Sequence, residues 1–301
     1  MRIAVVIGAS SGIGARTAEI LGKRYGCRGN FADEEAALGK NVKKGEPYSE
    51  GSVDELWLVA RRKDRLFETA AKIENEARKR NAADCESNFK CKTVCGDITD
   101  DAFCSRLALD IKESGAEIAW LINSAGCGFY GEFTDSTVDN NCVCAELNCV
   151  GAVRITGALL PFMSRNGRIV QLASAAAFFP QPGFAVYAAS KAFVLSFSRA
   201  LGRELALSAR KNGLKKNRIS VTAVCPGPCD TEFLTLANDA NASRGMPSYK
   251  KHFIADCGYV AENIVKSAAK RKSLCLPTFT MKLLYAARKL LPDGLVLRLY
   301  R

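Results

Sequence analysis

Seven runs of apolar, strand-like residues alternate with helix-like segments along this chain of 301 residues. Several runs are continuously apolar rather than alternating, which is typical of parallel strands that are covered on both faces. Right-handed crossovers through the intervening helices then predict an open, doubly wound α/β sheet of about seven strands with helices on both faces. The predicted strands are Ile3–Ile7, Glu55–Ala60, Lys92–Cys95, Ile118–Ile122, Arg168–Ala173, Arg218–Val224 and Leu274–Leu276.

Two polar stretches interrupt this pattern. Cys27–Val53, between the first helix and the second strand, is far longer than a usual connection, and we interpret it as a surface insertion. Arg80–Lys90 is a shorter stretch of the same kind. Because no Pro/Ser-rich linker or internal repeat divides the chain, we expect a single domain over 1–301, with a C-terminal amphipathic tail at about 278–301.

The segment between the first strand and the first helix reads Gly-Ala-Ser-Ser-Gly-Ile-Gly, residues 8–14. In a dinucleotide-binding turn, one glycine permits the tight turn, one lets a phosphate approach the backbone, and one lets the helix pack on the strand. The N–H groups of the helix N-terminus then face an anion. The order of strand, turn and helix predicts a dinucleotide site in a Rossmann-type sheet; the alternative is a purely structural glycine turn.

The end of the second predicted strand bears on the choice of dinucleotide. An acidic residue there would accept hydrogen bonds from the adenosine ribose, whereas Ala60 cannot, and Arg61 can pair with a 2′-phosphate. These residues predict NADP(H) in preference to NAD(H). The alternative is that Arg61 and Arg62 only open a solvated helix.

A phenol and an ammonium group lie four residues apart at Tyr187 and Lys191, and therefore on one face of a helix. A neighbouring cation favours the phenolate and brings a tyrosine pKa closer to neutral pH, where the group can act in acid–base catalysis. Tyr285 and Lys289 have the same spacing. Only Tyr187 and Lys191 have a serine at a nearby strand end, because Ser174 ends the fifth predicted strand, close before Tyr187.

Small residues close two other predicted strands. Asn123–Gly126 follows the fourth strand and Pro226–Pro228 follows the sixth, which leaves space for a flat cofactor. Together the motifs resemble those of the single-domain short-chain dehydrogenase/reductases over about residues 2–275. The motifs that carry the resemblance are Gly8–Gly14, Asn123–Gly126, Asn148, Ser174, Tyr187, Lys191 and Pro226–Thr231. Ser124 departs from the second asparagine that is common in the family, and the long insertion is less typical of it.

The resemblance implies four catalytic residues. Tyr187 would protonate a substrate carbonyl oxygen, or deprotonate the alcohol in the reverse direction. Lys191 would lower the pKa of Tyr187 and hold the nicotinamide ribose. Ser174 would hydrogen-bond the carbonyl, and Asn148 would hold a water that relays protons to Lys191.

The resemblance also implies a set of cofactor contacts. Asp97 would contact the adenine, Asn123, Ala125 and Gly126 would border the adenosine side, and Thr231 would meet the nicotinamide carboxamide. The expected cofactor-binding residues are Gly8, Ser10, Ser11, Gly12, Ile13, Gly14, Arg61, Arg62, Asp97, Ile98, Asn123, Ala125, Gly126, Tyr187, Lys191, Pro226, Gly227 and Thr231.

The expected function is that of an NADP(H)-dependent carbonyl reductase or alcohol dehydrogenase acting on a 3-oxoacyl, steroid or similar small molecule. A non-catalytic NADP(H)-binding redox sensor is the alternative, but a complete catalytic set favours an enzyme. Substrate recognition in this family lies largely in the segment after the sixth strand, here about Phe233–Cys257. Its residues suit a lipophilic carbonyl compound or simply pack on the domain: Phe233, Leu234, Leu236, Met246, Tyr249 and Phe253.

Charge and cysteine content add further expectations. The net charge of +12 invites an anionic partner, such as a nucleotide, an acyl carrier, an acyl-CoA or a lipid surface, or else reflects solvated surface. The dispersed basic residues argue against nucleic acid. We interpret the 13 cysteines as reduced thiols and expect no metal, because Cys142 and Cys144 point to different sides of a helix and His252 is the only histidine.

The chain ends bear on location and assembly. The first predicted strand follows directly after Arg2 and no uncharged apolar run reaches membrane-spanning length, so we expect a cytoplasmic protein without a signal peptide. The tail has apolar residues at positions 283, 284, 287, 290 and 291. We expect it to pack on the domain or on a partner subunit of a homodimer or homotetramer, with peripheral contact to anionic lipid as the alternative.

Overall fold

The computed structural model describes residues 1–26, 52–81, 89–214, 218–239 and 253–298. These residues form a parallel sheet of 7 strands in the order β3-β2-β1-β4-β5-β6-β7. The predicted doubly wound, Rossmann-type α/β fold is therefore confirmed. The strands are β1 (Arg2–Ile7), β2 (Glu55–Ala60), β3 (Lys90–Cys95), β4 (Glu117–Asn123), β5 (Met163–Leu172), β6 (Ser220–Val224) and β7 (Leu274–Cys275).

Helices cover both faces of the sheet. α1 and α2 lie on one face with α8, and α3, α5 and α6 lie on the other. A π-helical segment, Glu146–Gly151, joins α4 to α5. The helices are α1 (Gly12–Tyr25), α2 (Lys63–Asn81), α3 (Asp101–Glu113), α4 (Val138–Ala145), α5 (Ala152–Leu159), α6 (Ala185–Lys211), α7 (Glu232–Asp239), α8 (Cys257–Ala269), α9 (Phe279–Arg288) and α10 (Asp293–Arg298).

The central strand β1 shows why its sequence is continuously apolar. Ala4 and Val6 point into the core on the side of α1, whereas Ile3, Val5 and Ile7 point into the core on the opposite side. All five are at most 1% exposed. A strand with no solvent-facing side leaves no position where a polar residue would be favoured.

Strands β3 and β5 begin earlier than the sequence pattern predicted. β5 begins at Met163 rather than at Arg168, and its pairing with β4 shifts register between Ile118 and Trp120. After Met163 its residues 164–167 are polar or glycine, so hydrophobicity alone does not reveal this part of the strand. β3 begins at Lys90 rather than at Lys92. It is an edge strand with largely solvent-accessible side chains, so its first residues do not stand out as apolar in the sequence.

The two polar stretches fall mainly outside the described residues, which omit 27–51 and 82–88. Their last residues belong to the core rather than to a surface insertion. Val53 is buried, and its N–H donates to the carbonyl of Tyr25 at 2.9 Å. Phe89 is likewise buried against the same core.

One helical stretch among the described residues, Val138–Phe162, is long and apolar enough by length and composition to cross a membrane. Helices that pack inside a protein core meet the same criterion. This stretch buries Leu147, Ile155 and Leu159 in the core beneath the sheet. Its packing is therefore that of a core helix.

The C-terminal tail packs against the domain. Met281 of α9 and Val296 of α10 are buried in one cluster with Phe178 and Phe179. The ring centroids of Tyr285 and Phe178 lie 5.2 Å apart. Helices α9 and α10 therefore extend the core at the end of the sheet where β5 and β6 finish.

Candidate active site

The glycine turn after β1 depends on backbone conformations and close approaches that favour glycine. Gly8 has a φ of +81°, and a Cβ there would lie 2.7 Å from the backbone nitrogen of Ala125. Gly12 has a φ of +55°. A Cβ at Gly14 would lie 2.2 Å from the carbonyl oxygen of Gly8, so helix α1 contacts the end of β1 directly. These are the tasks that the sequence assigned to the glycines.

The start of α1 is suited to an anion. Ser11 is the N-cap in extended conformation, and within the described part of the chain its side chain makes no capping hydrogen bond to the helix. The first N–H groups of α1 thus stay available at the edge of the cleft, at the positive end of the helix dipole. The bare backbone and the available N–H groups fit a dinucleotide diphosphate.

Two arginines follow β2 at the same edge of the cleft. Arg62 donates from Nη1 to both carboxylate oxygens of Glu232 at 2.8 Å, and from Nη2 to the hydroxyls of Ser11 at 2.8 Å and Ser10 at 3.3 Å. The Arg62 hydrogen bond lowers the pKa of Glu232. Arg61 is largely exposed, and its Nη1 lies 3.4 Å from a carboxylate oxygen of Asp97. Glu232, which the sequence analysis did not select, thus ties α7 to the cofactor turn.

Asp97 stands at the end of β3 with fixed geometry. The N–H and the hydroxyl of Thr99 both donate to its Oδ1 at 2.9 Å. Burial alone would raise the pKa of Asp97, but the Thr99 hydrogen bonds and the charge of Arg61 outweigh it and lower the pKa. The carboxylate therefore stays ionised at neutral pH and can accept a further hydrogen bond at the cleft.

Tyr187 and Ser174 come together where β5 and α6 meet at the floor of the cleft. Both side chains line the cleft, and the interaction with the Ser174 hydroxyl lowers the pKa of Tyr187 against the effect of burial. Ser174 also caps the short helix 175–178, because its Oγ accepts from the N–H of Ala176 at 3.1 Å. The cap fixes the hydroxyl, and the fixed hydroxyl orients the phenol.

An aromatic stack holds the ring of Tyr187. The Phe184 ring stacks on Tyr187 with centroids 4.2 Å apart, and Tyr130 stacks on Phe184 at 4.0 Å. Phe233 of α7 closes the other side at 5.5 Å. A Cβ at Gly128 would come within 2.5 Å of the Tyr187 ring, so the loop after β4 also presses against the phenol. The ring is fixed by packing before any substrate arrives.

The pKa of Tyr187 departs from the sequence-based expectation. Burial raises the pKa of Tyr187 above its ordinary value, and the Ser174 hydrogen bond offsets this only in part. Lys191 Nζ lies 5.6 Å from the Tyr187 ring centroid and donates to the carbonyl of Leu172 at 2.9 Å. Burial also lowers the pKa of Lys191. Tyr187 is therefore a protonated phenol at neutral pH.

Asn148 lies in the π-helical segment, a type of irregularity that is frequent at functional sites. Its Nδ2 donates to Ser190 Oγ at 2.9 Å and to the carbonyl of Cys127 at 2.8 Å, and its Oδ1 accepts from the Cys127 N–H at 3.0 Å. A Cβ at Gly126 would meet Asn148 Oδ1 at 2.9 Å and Lys191 Nζ at 3.0 Å, so both groups converge on this glycine. Asn148 is therefore next to Lys191 but behind the wall of the cleft.

Not every residue expected at the cofactor borders the cleft. Asn123 is buried, and its Nδ2 donates to Thr156 Oγ1 at 2.9 Å and Gln171 Oε1 at 3.1 Å. It therefore joins β4 to β5 and α5, and its side chain lies away from the cleft. These two hydrogen bonds satisfy the amide donors of Asn123 within the core, so the side chain needs no contact with a ligand.

Gly14, like Asn123 and Asn148, is absent from the described lining of the cleft, which has a volume of about 1150 Å³. The other expected residues surround this cleft. It extends from the glycine turn and the arginines, past Tyr187, to an apolar end. The expected cofactor and catalytic residues that line it are Gly8, Ser10, Ser11, Gly12, Ile13, Arg61, Arg62, Asp97, Ile98, Ala125, Gly126, Ser174, Tyr187, Lys191, Pro226, Gly227 and Thr231. A cleft of this size holds a dinucleotide together with a second molecule.

The apolar end of the cleft combines two segments. Phe233, Leu234, Leu236 and Phe253 line it as expected, while Met246 and Tyr249 lie outside the described residues. The sequence analysis missed the contribution of α9, whose Met281, Leu283 and Leu284 also line the cleft. The apolar periodicity of α9 is visible in the sequence, but the sequence does not show that these residues face the cleft. Tyr285 and Lys289, the second pair with catalytic spacing, are absent from the described lining of the cleft.

Sequence comparison gives a consistent result. A model of the family described as short chain dehydrogenase matches residues 56–242. An oxidoreductase of Staphylococcus epidermidis is 27% identical over 232 residues, which span 76% of this chain and 79% of that protein. The 11-beta-hydroxysteroid dehydrogenase 1A of Arabidopsis thaliana is 29% identical over 233 residues, which span 77% of this chain but 53% of that protein.

Solved structures agree in fold. A short-chain dehydrogenase from Sphingobium yanoikuyae, solved in complex with NADPH, superposes with a TM-score of 0.67 at 26% identity and covers 98% of this chain and 95% of that one. The actinorhodin polyketide ketoreductase, solved with NADPH, superposes with a TM-score of 0.66 at 23% identity and covers 91% and 94% of the two chains.

Proposed function

The chain belongs to the short chain dehydrogenase family of oxidoreductases, and on that basis we propose that it is an NADP(H)-dependent carbonyl reductase. Its substrate would be a lipophilic ketone or aldehyde, and its product the corresponding alcohol. The observation that carries the proposal is the contact between Tyr187 and Ser174. It places a protonated phenol and a fixed hydroxyl in one cleft with a glycine turn that fits a diphosphate.

The cofactor would lie along the glycine turn and the strand ends. The positive φ angles of Gly8 and Gly12 keep side chains away from the diphosphate, and the first N–H groups of α1 face it. Asp97 would accept a hydrogen bond from the adenine side. Thr231, whose Cγ2 lies within 3.2 Å of where a Gly12 Cβ would be, would meet the carboxamide end.

A preference for NADP(H) over NAD(H) is supported by the charges after β2. Ala60 offers no acceptor to the ribose hydroxyls, and Arg61 and Arg62 carry cationic guanidinium groups into the cleft. Arg61 would meet the 2′-phosphate directly. Arg62 is bound to Glu232, so the phosphate would compete with that carboxylate for it. NADPH is also the ligand named for the Sphingobium yanoikuyae enzyme.

The proton that reduction requires would come from Tyr187. When bound, NADPH supplies the hydride. The Ser174 hydroxyl would hydrogen-bond the substrate carbonyl oxygen and bring it next to the Tyr187 hydroxyl. Because burial keeps the phenol protonated at neutral pH, Tyr187 would donate its proton as negative charge develops on the oxygen.

Lys191 and Asn148 would support this transfer from behind. The Lys191 ammonium lies near the strand end at Leu172, where it would hold the nicotinamide ribose. As hydride transfer proceeds, its positive charge would stabilise the phenolate that forms on Tyr187. Asn148, next to Lys191, would hold a water through which the proton on Tyr187 is replenished.

A lipophilic substrate is supported by the apolar end of the cleft. Phe179, Phe253, Met281 and Leu284 surround the space beyond Tyr187. Burial of apolar substrate surface against these side chains would supply most of the binding free energy, while Ser174 and Tyr187 would fix the orientation of the carbonyl group.

A homo-oligomer is supported by an exposed apolar face. Val138, Val150 and Val153 of the α4–α5 stretch are largely exposed, as is Phe193 on α6. Exposed apolar side chains on neighbouring helices would pack against a second copy of the chain.

The proposed function is tested by following NADPH absorbance at neutral pH with matched pairs of carbonyl compounds. A ketone with a long apolar group should be reduced with a lower KM than a short polar ketone that has the same reacting group. Oxidation of NADPH with none of the carbonyl compounds, or no preference for the apolar member of a pair, would contradict it.

A further inference from the structure

Two cysteine side chains lie close together at the wall of the cleft. Cys127, in the loop after β4, lines the cleft, and Cys144 on α4 is buried beneath it with 1% of its surface exposed. The Cys144 thiol donates to the Cys127 carbonyl oxygen at 3.3 Å, and the Cys127 thiol lies 3.9 Å from the carbonyl oxygen of Val143, the residue before Cys144. The sequence alone indicates reduced thiols, and the fold brings these two of them together.

Three contacts connect Asn148 to the two cysteines. Asn148 Nδ2 donates to the Cys127 carbonyl at 2.8 Å and reaches Cys144 Sγ at 3.4 Å, and Asn148 Oδ1 accepts from the Cys127 N–H at 3.0 Å. The same Nδ2 donates to Ser190 Oγ, which in turn donates to the Tyr187 carbonyl at 2.8 Å. A displacement of either cysteine therefore reaches the helix turn that carries Tyr187 and Lys191.

The two thiols differ in reactivity. The hydrogen bond from Cys144, with the positive charges of Lys191 and Arg61, outweighs burial and lowers the pKa of Cys127. The same pairing and burial raise the pKa of Cys144. Because its pKa is lowered and its side chain faces the cleft, Cys127 is the thiol suited to attack an oxidant. Cys144 is shielded and adjacent, as a resolving thiol must be.

We propose that Cys127 and Cys144 form a reversible disulfide that inactivates the enzyme when a peroxide enters the cleft. The evidence is their direct contact, the access to Cys127 through the cleft, and their shared hydrogen bonds with Asn148. The loss of turnover rests on the proposed function, whereas formation of the disulfide does not.

The chemistry balances with a hydroperoxide as the oxidant. The Cys127 thiolate attacks one peroxide oxygen, the O–O bond breaks, and a sulfenic acid forms while the leaving oxygen takes up a proton. The sulfur of Cys144 then attacks the sulfenic sulfur, the S–S bond forms, the S–O bond breaks, and the oxygen leaves as water with the Cys144 proton. Two electrons pass from the two thiols to the peroxide, and a dithiol reductant reverses the step.

Formation of the disulfide should distort the site because a bonded pair of sulfurs lies about 2.05 Å apart, much closer than two thiols in contact. Cys144 Sγ must leave Asn148, and the Cys127 loop must shift toward α4. Asn148 then loses part of the hydrogen bonding that fixes it next to Ser190 and Lys191. We expect turnover to fall roughly tenfold, the scale expected for the loss of a buried hydrogen bond in a rigid site.

Neighbouring cysteines provide controls. Cys142 is exposed on the opposite side of α4, and Cys149 lies on the π-helical segment with its thiol near the Ser190 carbonyl. Trypsin leaves all four cysteines in the peptide 113–154. Cleavage after Glu132 and Glu146 then separates Cys127, the Cys142–Cys144 segment and Cys149 from one another.

The reduced protein is treated with hydrogen peroxide, and its cross-links are mapped by mass spectrometry without reduction. NADPH oxidation with a ketone substrate is followed in parallel. Fragment ions between Cys142 and Cys144 identify the bonded residue in the wild-type protein. We expect a Cys127–Cys144 link that forms together with the loss of turnover and is reversed by dithiothreitol. Cys142→Ala should retain the link and the inactivation, and Cys144→Ala should lose the link.

Three results would overturn the proposal. They are a link from Cys127 to Cys142 or Cys149 instead, stable higher oxidation of Cys127 with no link, or a complete Cys127–Cys144 link with unchanged turnover. If reduced protein has no reductase activity but the link forms, the proposed function fails while the redox pair stands.

Discussion

The side chains of Tyr187 and Ser174 interact in one cleft, although Tyr187 lies on helix α6 and Ser174 follows the end of strand β5. The contact joins a group that can donate a proton to a group that can orient a carbonyl. Its position in the cleft makes the catalytic assignment testable residue by residue.

Replacing Tyr187 by Phe should lower kcat by about 10²–10⁴-fold, because the proton donor is lost while the ring stays in its aromatic stack. NADPH affinity, measured by fluorescence titration, should change little. Tyr285→Phe is the matched control, since Tyr285 shares the spacing to a lysine but packs on Phe178 outside the cleft, and its turnover should stay near wild type. Wild-type turnover in Tyr187→Phe would remove the proposed acid.

The pH dependence should differ between the two reaction directions. The pKa of Tyr187 is raised above its ordinary value of about 10, so the protonated form predominates up to and beyond that pH. Ketone reduction uses the protonated form, and its kcat should be flat between about pH 6 and 9. Alcohol oxidation uses the phenolate and should rise with pH across the same range. A reduction rate that falls as pH rises through neutrality would contradict the raised pKa.

Replacing Arg61 by Ala should weaken NADPH binding roughly tenfold or more, because a charge-assisted contact to the 2′-phosphate is lost. NADH affinity should change little, so the ratio of the two dissociation constants is the decisive quantity. Arg65→Ala is the control, since Arg65 lies on helix α2, which begins just after Arg61, but pairs with Glu68 in solvent. Equal affinities of the wild type for NADPH and NADH would reject the assignment.

Replacing Gly14 by Ala should destabilise the protein by more than about 2 kcal/mol, because the added Cβ would lie 2.2 Å from the Gly8 carbonyl oxygen. NADPH affinity should fall as well, since α1 would be pushed away from the turn. Gly157→Ala is the control: it lies within α5 with nothing within 4 Å among the described atoms, and should be neutral or stabilising by up to about 1 kcal/mol. Chemical denaturation distinguishes the two; similar stability changes would refute the close approach.

Ending the chain after Thr278 should lower Tm by roughly 5 °C or more, because the buried side chains of Met281 and Val296 are removed from the cluster with Phe178. KM for an apolar ketone should also rise, since α9 lines the cleft. Unchanged Tm and KM, with loss only of sedimentation with anionic vesicles, would instead favour the membrane role of the tail.

Much of the fold is visible in the sequence because its causes are local. Strands buried on both faces must be continuously apolar, as in Ile3–Ile7, and a turn that needs a positive φ favours glycine, as at Gly8 and Gly12. The spacing of Tyr187 and Lys191 likewise fixes their common helix face. These signals predicted the doubly wound sheet and, with the resemblance, the family.

Other features depend on contacts between residues far apart in the chain. The amide of Asn123 serves the core rather than the cleft because Thr156 and Gln171 satisfy its donor groups. Glu232 reaches Arg62, and Cys127 meets Cys144, only because the fold brings their loops and helices together. No sequence spacing predicts such pairs.

The sequence by itself determined the sheet, the glycine turn and the family, since each rests on patterns within one segment. Only the tertiary structure decided that α9 lines the cleft and that burial raises the pKa of Tyr187. Burial and long-range contact are properties of the assembled core, and Tyr285, which has the same spacing to a lysine, is absent from the described lining of the cleft.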